Sequence, residues 1–139
     1  DVHSQISKLA QQHNLTTPLI INNYVPNNEI PNLLNRSSII LVLTNKGNRG
    51  IMTTKFFYSF CVEKPILCVR SDEECLAKTI KETNAGLAAT NVEEVKEFIL
   101  YHYNEWQQNG YTHINITNKE QFSRQNQAIQ FEKIFNQVL

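Results

Sequence analysis

The chain has no excess of either charge, with 13 basic against 13 acidic side chains in 139 residues. That balance excludes a protein that grips nucleic acid through a basic surface. No apolar run approaches the ~20 residues that span a bilayer, and no signal-peptide pattern follows Asp1. Cysteine is sparse and odd in number: Cys61, Cys68 and Cys75, with no CxxC pair. Such a set fits free thiols in a reducing compartment, as small buried residues, and not a disulfide framework. No histidine or second cysteine lies near any of the three at a metal ligand's spacing, so no metal site is expected. The four histidines, His3, His13, His102 and His113, form no HxxxH pair and read as packing or surface residues. The chain contains no GxGxxG, GxxxxGK[ST] or GxSxG, and no catalytic set is visible. Three Asn-x-Ser/Thr triplets begin at Asn14, Asn35 and Asn115. Seventeen Asn and seventeen Ser plus Thr give about two by chance, so they carry no information. What is abundant is amide, 17 Asn and 10 Gln, which solubilises a surface without steering a partner.

Periodicity supplies the elements. Ile6, Leu9 and Ala10 predict an amphipathic helix over residues 2–13, and Leu19-Ile20-Ile21 a short buried strand. Pro26-Asn27-Asn28-Glu29 reads as a helix start with Ile30, Leu33 and Leu34 turned inward. The run Ile39–Leu43 is the clearest strand signal. Beyond a loop with Gly47 and Gly50, a helix is expected over 53–62, closed by Lys64-Pro65 before a strand over 66–69. Ser71–Glu74 and Asn91–Glu94 read as capping boxes, with Leu76 and Ile80 inside the first helix. A brief strand over 86–89 separates the two. Val92, Val95, Ile99 and His102 make one stripe of the second helix. Tyr101, Tyr103, Trp106 and Tyr111 read as packing aromatics. A last helix from Asn118 repeats Ala128, Phe131, Phe135 and Val138. Alternating helices and strands predict an α/β chain, one domain with a parallel sheet covered on both faces. It opens with a helix, so a first strand is expected upstream.

In open parallel sheets a ligand sits outside the carboxyl ends of the strands. The loops expected there are Asn22 to Pro26, Thr44 to Thr54, Arg70 to Asp72 and Thr90, and the informative one is the second, which ends on Thr53-Thr54-Lys55 at a helix start. Free amides, the helix dipole and threonine hydroxyls favour an anion at such a place. An ordinary cap after a loop that needed glycine to turn is the alternative reading.

The stretch Thr53-Thr54-Lys55-Phe56-Phe57-Tyr58-Ser59-Phe60-Cys61-Val62-Glu63-Lys64-Pro65-Ile66-Leu67 resembles the T-K-L-F-E-Y-L-A-A-G-K-P-I-L segment of GT-B glycosyltransferases of the group 1 (family 4) type. Asn23-Tyr24-Val25-Pro26, Ser37–Val42, Ile80–Gly86 and Val92–Val95 match further segments in order, over roughly residues 5 to 108. The resemblance implies a Rossmann-like, three-layer α/β/α domain, the carboxyl-terminal half of a GT-B architecture. It would hold a nucleotide-diphosphate sugar, needing no metal and no other cofactor. The full protein would transfer the sugar to a glycan or lipid-linked acceptor, in polysaccharide biosynthesis. The acceptor would bind an amino-terminal domain lying upstream, toward which a helix over about 118–139 returns. By resemblance Gly50, Ile51, Met52, Thr53 and Thr54 face the donor sugar and diphosphate, Tyr24 and Val25 lie near the base, and Lys55 matches a common lysine of the family. The family's two acids, eight residues apart, fall on Gly50 and Tyr58, and its glycine before Lys-Pro falls on Glu63. The expected protein is cytoplasmic, with any contact at the inner face of the membrane made by the upstream half. A domain that has lost donor binding and serves as an interaction or scaffold module is the competing expectation.

Overall fold

The computed structural model describes residues 2–15, 19–22, 24–44 and 51–138, the side chain of Lys55 excepted. Contacts group the chain into two compact units, Asp1–Ile30 and Pro31–Leu139. The first contains helix α1, Val2–Gln12, whose stripe buries Ala10 but leaves Ile6 and Leu9 exposed. Leu19–Ile21 is not a strand, and Ile20 is 79% exposed. Three apolar residues without a sheet neighbour have no ladder to join.

The second unit is built on a three-stranded parallel sheet in the order β1 (Ile40–Leu43), β2 (Ile66–Val69), β3 (Gly86–Ala88). Ile40, Ile66 and Gly86 stand in register, as do Val42, Cys68 and Ala88. The helix α2 (Ile30–Asn35) leads into β1. The crossovers are α3 (Thr54–Cys61) and α4 (Cys75–Glu82). Alternate strand residues point to one face, and Val42, Ile66, Cys68 and Ala88 pack there with Phe56 and Phe60 of α3 and Leu76 and Ile80 of α4. Phe56, Ser59 and Phe60 recur at helical spacing, which is why α3 buries this side. The opposite face is covered less completely. Helix α5 (Val92–Asn109) touches β2 there, yet Leu41 and Leu43 of β1 are 57% and 73% exposed.

Several expected details move. The cap of α4 is Asp72, not the Ser71–Glu74 pair: its carboxylate accepts the amides of Glu74, Leu76 and Ala77 at 3.2, 3.0 and 2.9 Å. The helix begins at Cys75, which puts Asp72 in reach of the free amides and leaves Ser71 to accept only that of Glu73. Asn91 does cap α5, accepting the Glu94 amide at 2.9 Å, while the Glu94 carboxylate returns to the amide of Thr90 at 2.7 Å. The inward stripe of α5 runs through Val95, Phe98, His102 and Glu105, so Val92 and Ile99 face out. Tyr101, Tyr103, Trp106 and Tyr111 are exposed, with Tyr103 stacked on Trp106 and not in a core. Cys61 is exposed, Cys75 half-buried and Cys68 buried.

After Gly110, in the left-handed conformation that closes α5, residues 112–117 form an extended strap under the amino ends of all three strands. The Thr112 hydroxyl donates to the Ser38 carbonyl, just before β1. The Ile114 amide donates to Glu63 and the Lys64 ammonium to Thr112, both before β2. The Thr117 amide donates to Thr83, before β3, and Ile116 enters the core. A single 3-10 turn, Lys119–Phe122, comes next, where a helix start was expected. Its Phe122 ring lies 5.8 and 5.6 Å from those of Phe57 and Phe60. Helix α6, Arg124–Val138, buries none of its residues, Phe131 and Phe135 included.

Candidate functional site

The carboxyl ends of the strands are where a parallel sheet offers free amides and helix starts. Thr44, just past β1, ties this edge together: its amide donates to Val69 at 3.1 Å and its hydroxyl to the Arg70 carbonyl. Met52 is drawn inward onto the core, its sulfur accepting the Thr79 hydroxyl at 3.4 Å. That contact fixes the approach to α3 and leaves Ile51, Thr53 and Thr54 exposed at its start. Thr53 occupies the cap position with extended backbone, but its side chain caps nothing.

The three helices that follow the strands differ at this edge. The amino end of α4 is filled by the Asp72 carboxylate, and that of α5 by Glu94, whose carboxyl is held below the usual range by the Thr90 amide above all. The amino end of α3 carries no acid in its first turn and no side-chain cap. Among the described residues, it alone of the three presents its amides without a carboxylate. Arg70, just past β2, is exposed, and its guanidinium has no ion-pair partner among the described residues. It borders a hollow of about 160 Å³ reaching to Thr90, Asn91 and Val95. The loop from Arg70 to Asp72 was expected at this edge, but a lone arginine after a strand has no motif that would mark its side chain as a candidate.

Of the residues expected to face a donor, Ile51, Met52, Thr53, Thr54 and Tyr58 belong to the second unit, with Tyr58 half-buried one turn into α3. Gly50 lies outside the described residues, and of Lys55 only its place in α3 is described. Tyr24 and Val25 belong to the first unit, Tyr24 exposed and Val25 half-buried.

A larger depression, of about 560 Å³, lies between α5, the start of β3 and the strap. His102 is buried there, its Nδ1 2.8 Å from the Glu105 carboxylate, with the Phe98 and Tyr101 rings edge-on to it at 4.5 and 5.0 Å. The second Glu105 oxygen accepts the His113 amide at 3.3 Å. No group of three or more His, Cys, Asp or Glu side chains that could hold a metal ion occurs among the described residues. No helix among them is long and apolar enough to cross a membrane.

No protein-family model, curated protein or solved structure matches the chain. What is defined is a mixed α/β protein with a small, open parallel sheet.

Proposed function

We propose that the second unit is the donor-binding half of a GT-B glycosyltransferase of the group 1 type, Rossmann-like and three-layered in the complete protein. It holds the diphosphate of a nucleotide sugar at the amino end of α3. The observation that carries this reading is the contrast among the three post-strand helices: two are neutralised by their own carboxylates, and α3 is not. An anion at α3 gains the helix dipole and free amides, and the exposed hydroxyls of Thr53 and Thr54 add donors. Arg70 supplies the positive charge that a leaving diphosphate needs, with no metal required. Glu63 gives independent support. It stands where the resembled segment has glycine, and its φ of 50° is one that glycine adopts at no steric cost. The reading includes an amino-terminal acceptor-binding domain as partner, a glycan or lipid-linked acceptor, a cytoplasmic location, and no role for nucleic acid. Any contact with the inner membrane face belongs to the acceptor half.

Titration with nucleoside diphosphates, followed by amide shifts at 51–55, tests the reading. Saturable shifts that weaken in Arg70→Ala are expected. Their absence at millimolar nucleotide overturns it.

Tyr58 favours a second reading, an interaction or scaffold module without donor binding. It stands half-buried where the family's second acid holds ribose hydroxyls, and a phenol replaces that carboxylate only in part. Tyr58→Glu strengthens nucleotide binding under the first reading and changes nothing under the second.

A further inference from the structure

Asn109 and Gly110 stand at the joint between helix α5 and the strap. Among the 17 asparagines, Asn109 alone is followed by glycine. The pairing has a chemical consequence, because a main-chain nitrogen can attack the side-chain amide carbon of a preceding asparagine. A side chain on the attacking residue crowds that approach, and glycine has none. The surroundings leave the pair open. Asn109 and Gly110 are both exposed, and a Cβ placed on Gly110 would meet nothing within 4 Å. The Asn109 side chain has no hydrogen-bond partner among the described residues, whereas those of Asn84, Asn91 and Asn126 are engaged. One restraint opposes attack: the Gly110 amide donates to the Trp106 carbonyl at 2.7 Å, the closing bond of the helix. That bond belongs to a last turn, and helix ends open at little cost in free energy.

We propose that Asn109 is a site of spontaneous deamidation, gated by the Trp106–Gly110 hydrogen bond. When the last turn opens, the Gly110 nitrogen bonds to Cγ of Asn109. The Cγ–Nδ2 bond breaks, and ammonia leaves with the proton of the Gly110 amide. Water then opens the cyclic imide. Addition at Cγ gives aspartate in a normal chain. Addition at the Asn109 main-chain carbonyl gives isoaspartate, with the chain now running through Cγ. Both products place a carboxylate at the carboxyl end of α5, where the helix dipole disfavours it. Isoaspartate also adds a methylene to the main chain just before the strap, whose bonds to Ser38, Glu63 and Thr83 hold the amino ends of the strands. The modification therefore loosens that fastening, and it is independent of the donor site at α3.

The test incubates the full chain at mildly alkaline pH, native and in urea, and maps its peptides by mass spectrometry that separates aspartate from isoaspartate. Asn109 is expected to convert first among the asparagines, to both products, and severalfold faster in urea than in the native chain. Asn109→Gln changes an exposed side chain, keeps the fold, and should lose this early conversion while the other asparagines keep their rates. The isoaspartate form should unfold at a lower urea midpoint than the fresh chain. Earlier conversion of another asparagine, a native rate no slower than that in urea, or an Asn109 left intact in the native chain while the unfolded chain converts overturns the proposal. Equal midpoints overturn its effect on the strap.

Discussion

Gly86 opens β3 with a φ of +150°, and a Cβ built there would lie 1.9 Å from the Ile66 carbonyl oxygen of the paired strand. The neighbour is backbone inside the ladder, where Ile66 and Gly86 are register partners, so nothing can give way cheaply. Gly86→Ala should therefore destabilise the second unit by about 3–4 kcal/mol, through strain at a special backbone position. The shift of a urea midpoint at unchanged slope measures it. The thiols separate as sharply by environment. Burial first, then the Asp72 charge, pushes the Cys68 thiol up to about 11. Reactivity follows the thiolate, so an aromatic disulfide reagent near neutral pH should label exposed Cys61 first and half-buried Cys75 more slowly. Cys68 should react only on unfolding. Mass spectrometry of time points gives the order, and early labelling of Cys68 contradicts it.

At the scale of elements, α4 shows how far the sequence carries. Leu76 and Ile80 were legible as its buried face, since helical spacing of apolar residues is a local signal, and both are buried. Its cap was not, because Ser71 and Asp72 are both good caps and only the start at Cys75 selects Asp72. Asp72→Ala leaves the amides of Glu74, Leu76 and Ala77 without their acceptor, in a buried setting. A loss of roughly 2–3 kcal/mol is expected, with about half recovered in Asp72→Asn, which keeps one carbonyl oxygen. Hydrogen exchange at the three amides reports whether the loss is local. The strap shows the opposite limit. Residues 112–117 have neither period nor motif; their order comes from bonds to Ser38, Glu63 and Thr83, far away in sequence. The candidate site divides the same way. The strand–loop–helix passage to Thr53 and the place of the Arg70 loop at that edge could be read locally, whereas Glu105 beside His102 depends on how α5 packs.

The strap's exit is fastened by Glu63 and Lys119. The Lys119 ammonium, by hydrogen bond and charge, holds the Glu63 carboxyl below its ordinary 4.5, and Glu63 raises Lys119 above its ordinary 10.5. The lowered Glu63 value means stability present above about pH 4.5 and lost as acid protonates the folded carboxyl. The raised Lys119 value means stability present below 10.5 and lost as alkali removes its proton in the folded state. Both side chains are 37% exposed, so solvent screening keeps the pair under about 1 kcal/mol. Lys119→Met should be less stable than the native chain by that small amount near neutral pH, with the gap closing as pH falls below 4.5. Denaturation midpoints of both proteins across the acid range check the sign.

For the whole second unit, nucleotide binding predicts a linkage. A ligand that binds only the folded state stabilises it by about 2.7 kcal/mol at a hundredfold excess over Kd. The proposed contact depends on Arg70 and the 51–54 segment, so Arg70→Ala should abolish most of the nucleotide's effect on the melting temperature. Thermal unfolding of the native chain and the variant, with and without a nucleoside diphosphate, reads the difference, and an equal shift in both would contradict a site at this edge. A chain of zero net charge could then hold an anion, because the field that holds it is local to one helix end and does not depend on the charge of the surface as a whole.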